Sequence, residues 1–123
     1  MSPTRYSKDH VWIRKAGELW QIGLSDYATG ELGEIIFIEQ PVPGTNVKRG
    51  DAVCSIDSLK STSDIYAPVS GIIEEINPAL KGGDAAPLNS DPLGSGWLFS
   101  MRLADPLELE LLLSEEEYKA FVG

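Results

Sequence analysis

Residues 52–71 read AVCSIDSLKSTSDIYAPVSG, and this stretch decides the fold. Residues 52–57 and 65–69 read as two strands, because apolar side chains recur in them as in half-buried β-strands. Residues 58–63 between them are mostly small and polar, so they predict a tight connection that carries Lys60. A lysine there extends into solvent on a flexible stem, although most turn lysines are only solvated charges. The stretch therefore predicts a β-hairpin with an exposed amine.

Short strands separated by turn residues continue on both sides of this hairpin. The run EIIFIE at residues 34–39 is apolar and β-branched, which predicts a central strand. Alternating patterns predict further strands over residues 10–15, 19–24, 71–77 and 97–103. In the last of these, Ser100 is predicted to face outward. Residues 81–96 are rich in glycine and proline, which predicts a loop.

Two helices are predicted at the margins of the sheets. Residues 25–32 have Ser25 or Asp26 available as the N-cap and Gly33 in position to end a helix. Near the C-terminus, Ser114 and Glu117 form a capping box in front of a short amphipathic helix. The pattern predicts a mainly β fold, a small sandwich or flattened barrel with peripheral helices, as a single domain over residues 1–123.

Composition excludes several classes of function. The chain has 123 residues and a net charge of −9, which disfavours contact with phosphate backbones. One cysteine and one histidine leave no internal disulfide and no multi-Cys zinc site. Cys54 lies in a predicted strand, where we expect a small buried hydrophobe. A polar N-terminal sequence and the lack of any apolar run of about 20 residues predict a soluble cytoplasmic protein.

Residues 57–71, DSLKSTSDIYAPVSG, resemble the lipoyl-attachment region of the glycine cleavage system H protein family. Further segments match that family in order and spacing: YSKDHVW at 6–12, IGLSDYA at 22–28, LGEIIFI at 32–38 and GWLF at 96–99. The resemblance extends from Tyr6 to Val122. It implies a barrel-sandwich hybrid fold of the lipoyl and biotinyl type.

The resemblance implies a non-catalytic carrier with lipoate attached covalently to Lys60 through an amide. Such a carrier takes the aminomethyl group of glycine from a pyridoxal-phosphate glycine decarboxylase to a tetrahydrofolate-dependent aminomethyltransferase. Dihydrolipoamide dehydrogenase then reoxidises the dithiol, which is chemistry of the cofactor and not of Cys54. A lipoyl or octanoyl transferase or ligase is implied as a further partner, and we expect a monomer without nucleic-acid or membrane partners.

Acidic residues around the lysine are implied to assist. Asp57, three residues before Lys60, would help the lipoylating enzyme to recognise the turn. Asp64 corresponds to a family residue near the docked arm, where a carboxylate could pair with the ammonium of the carried group. Ser63, in the same motif, completes the candidate residues on this side of the site.

The N-terminal motif contributes Asp9 and His10 as candidates but departs from the family at Val11. The family commonly has glutamate at that position, where it lines the cleft that receives the loaded arm. Valine cannot pair with an ammonium, so Asp9 and Asp64 take over that role or the arm is protected less well. His10 keeps its family place, although a lone histidine beside a strand is more often structural.

Other functions remain open on the sequence alone. Val11 keeps a paralogue that relays lipoyl or octanoyl groups to other complexes as the first alternative. A biotin carrier shares the fold, but its signature has methionines beside the lysine, where this chain has Leu59 and Ser61. An interaction module without any modification is a further alternative. An enzyme is least supported, because the sequence shows no nucleophile–base pair or phosphate loop.

Overall fold

The structure, a computed structural model, describes residues 4–83 and 85–122, and at 81–83 it describes the backbone only. The predicted domain of 1–123 includes residues 1–3, 84 and 123, which lie outside the described residues. The strands are β1 Arg5–Tyr6, β2 Val11–Ala16, β3 Leu19–Leu24, β4 Ile35–Glu39, β5 Asn46–Val47, β6 Ala52–Ser58, β7 Thr62–Tyr66, β8 Gly71–Ile76, β9 Phe99–Leu103 and β10 Leu113–Ser114. The helices are α1 Asp26–Leu32, α2 Ala86–Ser90 and α3 Glu115–Val122, with 3-10 helices at Pro78–Gly83 and Pro106–Leu111.

Two antiparallel sheets enclose the main core. A 7-stranded sheet has the order β10-β1-β2-β3-β9-β8-β5, and a 3-stranded sheet has the order β4-β6-β7. Alternate side chains of both sheets point into the space between them, as in sandwiches. The fully buried ones include Val11, Ile22, Ile56, Ile73 and Phe99. The prediction of a mainly β fold with two packed faces is confirmed.

A second, smaller core lies on the other face of the large sheet. Trp12 is fully buried there with Tyr6 and Tyr118, and its indole N–H donates to the Pro92 carbonyl at 2.9 Å. Gly23 pairs with Trp12 across β2 and β3, and a Cβ on Gly23 would clash with the indole ring. Glycine is therefore required at position 23, because the ring occupies the space of a side chain.

Both predicted helices are confirmed. Ser25 is the N-cap of α1 and accepts a hydrogen bond from the Ala28 N–H at 3.1 Å, while Gly33 ends the helix with a φ of 78°. At α3 the capping box is reciprocal: the Ser114 N–H donates to Glu117 at 2.9 Å, and the Glu117 N–H donates to the Ser114 hydroxyl at 3.2 Å. These caps position both helices beside the sheets.

The prediction of a central strand at residues 34–39 is wrong, since β4 is an edge strand that pairs only with β6 among the described strands. Ile36 and Phe37 are 51% and 45% exposed. A bulge between Ile35 and Phe37 breaks the alternation, so an apolar run faces solvent in part. Hydrophobicity predicted the strand correctly but not its place in the sheet.

Two further predictions are corrected. The predicted loop at residues 81–96 contains α2, and the Asn89 side chain of α2 donates to and accepts from the backbone of Ile35 at 2.8 and 2.9 Å. The side-chain amide thereby covers an unpaired part of the β4 edge. Ser100 was predicted to face outward but is 4% exposed, although alternation along β9 places it on the opposite face from the core residues Phe99 and Met101.

Candidate functional site

Lys60 lies at the tip of the β6–β7 hairpin, in a connection shorter than the predicted residues 58–63. The strands pair as far as Asp57 and Thr62, and Ser58 still belongs to β6. The buried hydroxyl of Ser58 accepts the N–H groups of Lys60 and Ser61 at 3.2 and 3.1 Å and donates to the Ser61 carbonyl at 3.0 Å. One side chain thus fixes the backbone that carries the lysine.

Contacts on both sides of the tip hold it against the small sheet. The Thr62 hydroxyl donates to the Asp57 carboxylate at 2.8 Å, across the last pair of the hairpin. The Leu59 N–H donates to the Glu34 carbonyl at 3.1 Å, which ties the tip to the start of β4. The Leu59 side chain is 70% exposed and lies next to Lys60 in the chain. The tip therefore combines a fixed backbone with an exposed apolar residue beside the lysine.

The lysine side chain lies over the C-terminal end of α1. Its amine nitrogen Nζ is 3.4 Å from the Glu31 carbonyl, and its Cε would be 3.7 Å from a Cβ built on Gly33. The carbonyl groups at a helix C-terminus carry partial negative charge, which favours a cation. The exposed amine thus contacts the backbone of Glu31, a residue that lines a cleft.

This cleft has a volume of about 300 Å³ and lies between α1, the free edge of β7 and the connection before β2. Its walls combine apolar and polar side chains, and the residues are Asp9, His10, Leu24, Tyr27, Ala28, Glu31, Leu32, Ser63, Asp64 and Ile65. The structure therefore brings together four predicted site residues, Asp9, His10, Ser63 and Asp64. Asp57 is not among the cleft residues and lies at the base of the tip.

The cleft is acidic. Asp9, Glu31 and Asp64 contribute carboxylates, and no lysine or arginine is among the described residues that line it. Ser63 lies in β7 and not in the predicted connection 58–63, because pairing of the hairpin continues to Thr62, and Asp64 follows it in the same strand. An acidic, partly apolar cleft suits a ligand with an aliphatic chain and a cationic group.

His10 occupies an unusual backbone conformation at the end of this cleft. Its φ is 68°, in the left-handed region that non-glycine residues seldom adopt. The imidazole Nδ1 lies 2.8 Å from the Tyr118 hydroxyl, and the ring centroid is 5.0 Å from that of Tyr27. Tertiary contacts from α1 and α3 thus hold the His10 ring.

Val11 is fully buried in the main core and does not line the cleft. It pairs with Leu24 across β2 and β3. The position where the family commonly has glutamate therefore supplies no polar group to the site, and Asp9 and Asp64 are the predicted acids that remain there.

Cys54 lies on the inner face of β6 and does not line the cleft. It is buried, which confirms the prediction of a small hydrophobic residue. Burial, with smaller contributions from Glu39 and Asp64, raises the pKa of its thiol to about 12. Within residues 4–83 and 85–122, no three His, Cys, Asp or Glu side chains are grouped so that they could hold a metal ion. None of the helices in that part of the chain has the length and apolar character needed to cross a membrane.

Sequence reasoning missed the contribution of α1 to the site. Glu31 and Tyr27 line the cleft, and the Glu31 carbonyl contacts Lys60, yet they precede the lysine by 29 and 33 residues. The helix itself was predicted, but no local pattern shows which strand end it packs against. The available signal was the helix end at Gly33, directly before the predicted strand 34–39. The pairing of that strand with β6 is seen only in the structure.

The fold and the site define a class of protein: a small barrel-sandwich β domain that presents a lysine at the tip of a rigid hairpin. The sequence profile of the family described as "Glycine cleavage H-protein" matches residues 4–123. The chain belongs to this family, whose members are the non-catalytic lipoyl carriers of the glycine cleavage system.

Individual relatives agree with this assignment over their full length. The chain is 42% identical to the glycine cleavage system H protein of Phenylobacterium zucineum, over 97% of this chain and 98% of the relative. It is 40% identical to the H protein of Thermotoga maritima, over 98% of this chain and 97% of the relative. A crystal structure of an H protein from Mycobacterium marinum superposes with a TM-score of 0.87 at 32% identity, covering 100% of this chain and 98% of that one. The expected carrier role in glycine cleavage is confirmed, and its partners include the other components of that system.

Proposed function

We propose that Lys60 is the lipoate attachment site, and that the arm built on it carries the aminomethyl group between the glycine cleavage enzymes. The observation that carries this proposal is the position of the Lys60 amine on a fixed hairpin tip. The amine is exposed and lies 3.4 Å from the carbonyl oxygen of Glu31, a residue that lines the cleft. The tethered cofactor thereby reaches successive active sites at high effective concentration.

The residues present fit a lipoyl-lysine. The amine is accessible to a modifying enzyme, while the Ser58 hydrogen bonds hold the backbone around it. Asp57 is held at the base of the tip by Thr62, where an approaching enzyme can contact it. Amide formation changes the net charge from −9 to −10, because it removes the lysine cation. When bound, lipoate supplies thiol–disulfide chemistry that the buried Cys54 does not.

We assign the loading and unloading steps to separate partner enzymes. A pyridoxal-phosphate glycine decarboxylase loads the carrier, and a tetrahydrofolate-dependent aminomethyltransferase unloads it. Dihydrolipoamide dehydrogenase restores the disulfide, and a lipoyl or octanoyl transferase or ligase installs the group. We propose that the carrier works in the cytoplasm as a monomer and as a single domain.

The cleft is proposed to shelter the loaded arm. Its apolar residues, such as Leu32 and Ile65, suit an aliphatic chain, and Asp64 and Asp9 suit the ammonium of the carried group. A paired ammonium stays protonated and is less readily lost, because the carboxylate favours its charged form. Asp64 is therefore a binding residue for the cargo in this proposal.

Attachment is tested by the intact mass of protein made with sufficient lipoate. We expect a lipoyl or octanoyl increment on the natural chain and on Lys15→Arg, a control at another exposed hairpin lysine, and none on Lys60→Arg. A biotin increment, or no increment on the natural chain, would contradict the proposal. Glycine decarboxylase exchange then separates the cleavage carrier from a lipoyl-relay paralogue, which would be modified but would not support exchange.

The sheltering role is tested by Asp64→Asn. We expect the variant to release the carried aminomethyl group several-fold faster than the natural chain when the transferase is absent. Glu18→Gln removes an exposed carboxylate at the β2–β3 turn and serves as the control. Equal release rates in all three proteins would refute the role of Asp64 while leaving attachment at Lys60 intact.

A further inference from the structure

A chain of hydroxyl groups connects helix α1, helix α3 and the cleft. The Ser25 hydroxyl oxygen accepts the Ala28 N–H at 3.1 Å and lies 2.7 Å from the Tyr118 hydroxyl. The Tyr118 hydroxyl in turn lies 2.8 Å from Nδ1 of His10. Ser25 is fully buried and Tyr118 is 4% exposed. Water is therefore excluded from the Ser25 end of this chain.

The donors and acceptors that are present fix the direction of each hydrogen bond in this chain of hydroxyl groups. The described neighbours of the Ser25 hydroxyl are the Ala28 N–H, which is a donor, and the Tyr118 hydroxyl. The proton of Ser25 must therefore go to the Tyr118 oxygen. Burial raises the pKa of Tyr118, so its hydroxyl keeps its proton and donates it to Nδ1 of His10. A neutral imidazole whose Nδ1 accepts a hydrogen bond carries its proton on Nε2.

The opposite direction leaves a buried proton without a partner. If Nδ1 of His10 donated to Tyr118, the Tyr118 hydroxyl would have to donate to Ser25. The Ser25 proton would then have no acceptor among the described residues, and an unmade hydrogen bond in a buried site is costly. Fixed neighbours thus select the tautomer of His10.

The second nitrogen of the His10 ring is not fully buried. Nε2 makes no hydrogen bond within the described residues, where every fully buried polar side-chain atom has a partner. His10 lines the cleft together with Tyr27, whose helix also carries Glu31. Tyr27 and Glu31 are four positions apart on α1, about 6 Å along the axis. The His10 ring thus contacts α1 about one turn before the residue whose carbonyl contacts the Lys60 amine.

We propose that the Ser25–Tyr118 hydroxyl chain holds His10 as an Nε2–H donor, which binds a hydrogen-bond acceptor at the far end of the lipoyl arm. This rests on the proposed attachment at Lys60. The acceptor atoms at that end are the sulfurs, which are weak as a disulfide and stronger as a thiol or thiolate. A fixed donor does not bind an ammonium, so His10 contacts sulfur while Asp9 and Asp64 contact the cation.

The tautomer is measured directly, because His10 is the single histidine of the chain. Proton–nitrogen correlation spectra of ¹⁵N-histidine-labelled, tag-free protein distinguish Nε2–H from Nδ1–H once the ring is neutral. We expect the Nε2–H form to exceed the other by about tenfold or more, as an unmade buried hydrogen bond dictates. A dominant Nδ1–H form in the natural chain would overturn the proposal.

A pair of tyrosine variants separates the hydroxyl chain from general packing. Tyr6 and Tyr118 are stacked with centroids 4.3 Å apart, so phenylalanine at either position keeps the ring contact. Tyr118→Phe removes the donor to Nδ1, and we expect the ratio of tautomers to fall to that of an unconstrained histidine side chain in water. Tyr6→Phe removes a hydroxyl that has no partner among the described residues, and the ratio should stay unchanged. Equal effects of the two variants would refute selection by the hydroxyl chain.

Binding of the arm is tested on the same resonance. We expect the Nε2–H signal to shift on lipoylation and again on reduction of the dithiolane, whereas Lys60→Arg taken through the same reactions should show no change. A modified protein with an unmoved His10 signal would refute the sulfur contact but not the attachment site. Failure of Lys60 to gain lipoyl mass would instead refute the proposed function, so the two outcomes are distinguishable.

Discussion

The hairpins β2–β3 and β6–β7 both present a lysine near a turn, but the two turns are built differently. In β2–β3, Lys15 pairs with Trp20 and the turn passes through Gly17, whose φ is 68°. No atom lies within 4 Å of a Cβ built on Gly17, so this turn is surrounded by open space. In β6–β7, Ser58 fixes the turn by hydrogen bonds, and Lys60 contacts α1.

The difference sets Lys60, the lysine proposed to carry lipoate, apart from an ordinary surface lysine. Exposure is common to both, and residue type is the same. The Lys60 turn has, in addition, a backbone fixed by a buried side chain, an exposed leucine beside the lysine and an acidic cleft next to its amine. We expect a modifying enzyme and a tethered arm to recognise these neighbours and not the lysine alone.

The strongest test of this comparison moves the lysine from one turn to the other. The double variant Lys60→Arg with Glu18→Lys places an exposed lysine at the β2–β3 turn, and we expect no lipoyl increment by intact mass. Lipoylation at position 18 would contradict the view that the surroundings of Lys60 are read. The single variant Glu18→Lys should still be modified on Lys60, which controls for damage to the fold.

The role of Ser58 is tested against its neighbour Ser61. Ser58→Ala removes the hydroxyl bonds at the tip, and we expect a loss of about 1–3 kcal/mol in the free energy of unfolding together with slower lipoylation. The Ser61 side chain makes no hydrogen bond within the described residues, so Ser61→Ala should stay within about 0.5 kcal/mol. Urea unfolding measures both, and equal losses would show that the hydroxyl of Ser58 is not special.

Cys54, on the inner face of the same hairpin, makes the free energy of unfolding depend on pH. Its folded pKa of about 12 lies above the ordinary value, so the unfolded chain loses the thiol proton first as the pH rises. The contribution of this thiol to the free energy of unfolding is therefore fully present well below pH 9 and falls by roughly 1–2 kcal/mol by pH 10. We expect urea unfolding of Cys54→Ala to show a shallower decline over this range. An identical decline would mean that the thiol is already accessible in the folded hairpin.

The β2–β3 turn is tested separately by a substitution at Gly17. Gly17→Ala places a Cβ at positive φ without any clash, so backbone strain alone should lower the free energy of unfolding by about 1 kcal/mol. Lipoylation of Lys60 should be unaffected. Gly30, in α1, also has no atom within 4 Å of its Cβ position and no positive φ, so Gly30→Ala should stabilise by about 0.5–1 kcal/mol. Thermal unfolding that moved both variants in the same direction would contradict this distinction.

Local patterns predicted most elements because they depend on periodicity and capping. Residues 19–24 form β3 as predicted, and Ser25 caps α1 through a bond to Ala28, three residues away. The strand at residues 34–39 was also predicted, but its place at the edge was not, since an apolar run does not show how many neighbours a strand has. The predicted turn, residues 58–63, is too long. Pairing between strands, which the local sequence does not show, places Ser58 in β6 and Thr62 in β7.

The amino-acid sequence by itself determined the alternation of strands, the helix caps and the family motif around Lys60, since each depends on residues close together in the chain. Tertiary structure alone decided that Asp9, His10, Glu31 and Asp64 line one cleft, and that the Tyr118 hydroxyl lies between Ser25 and the His10 ring. These groups come from separate elements, so their distances depend on how two sheets and three helices pack. No spacing along the chain encodes such distances.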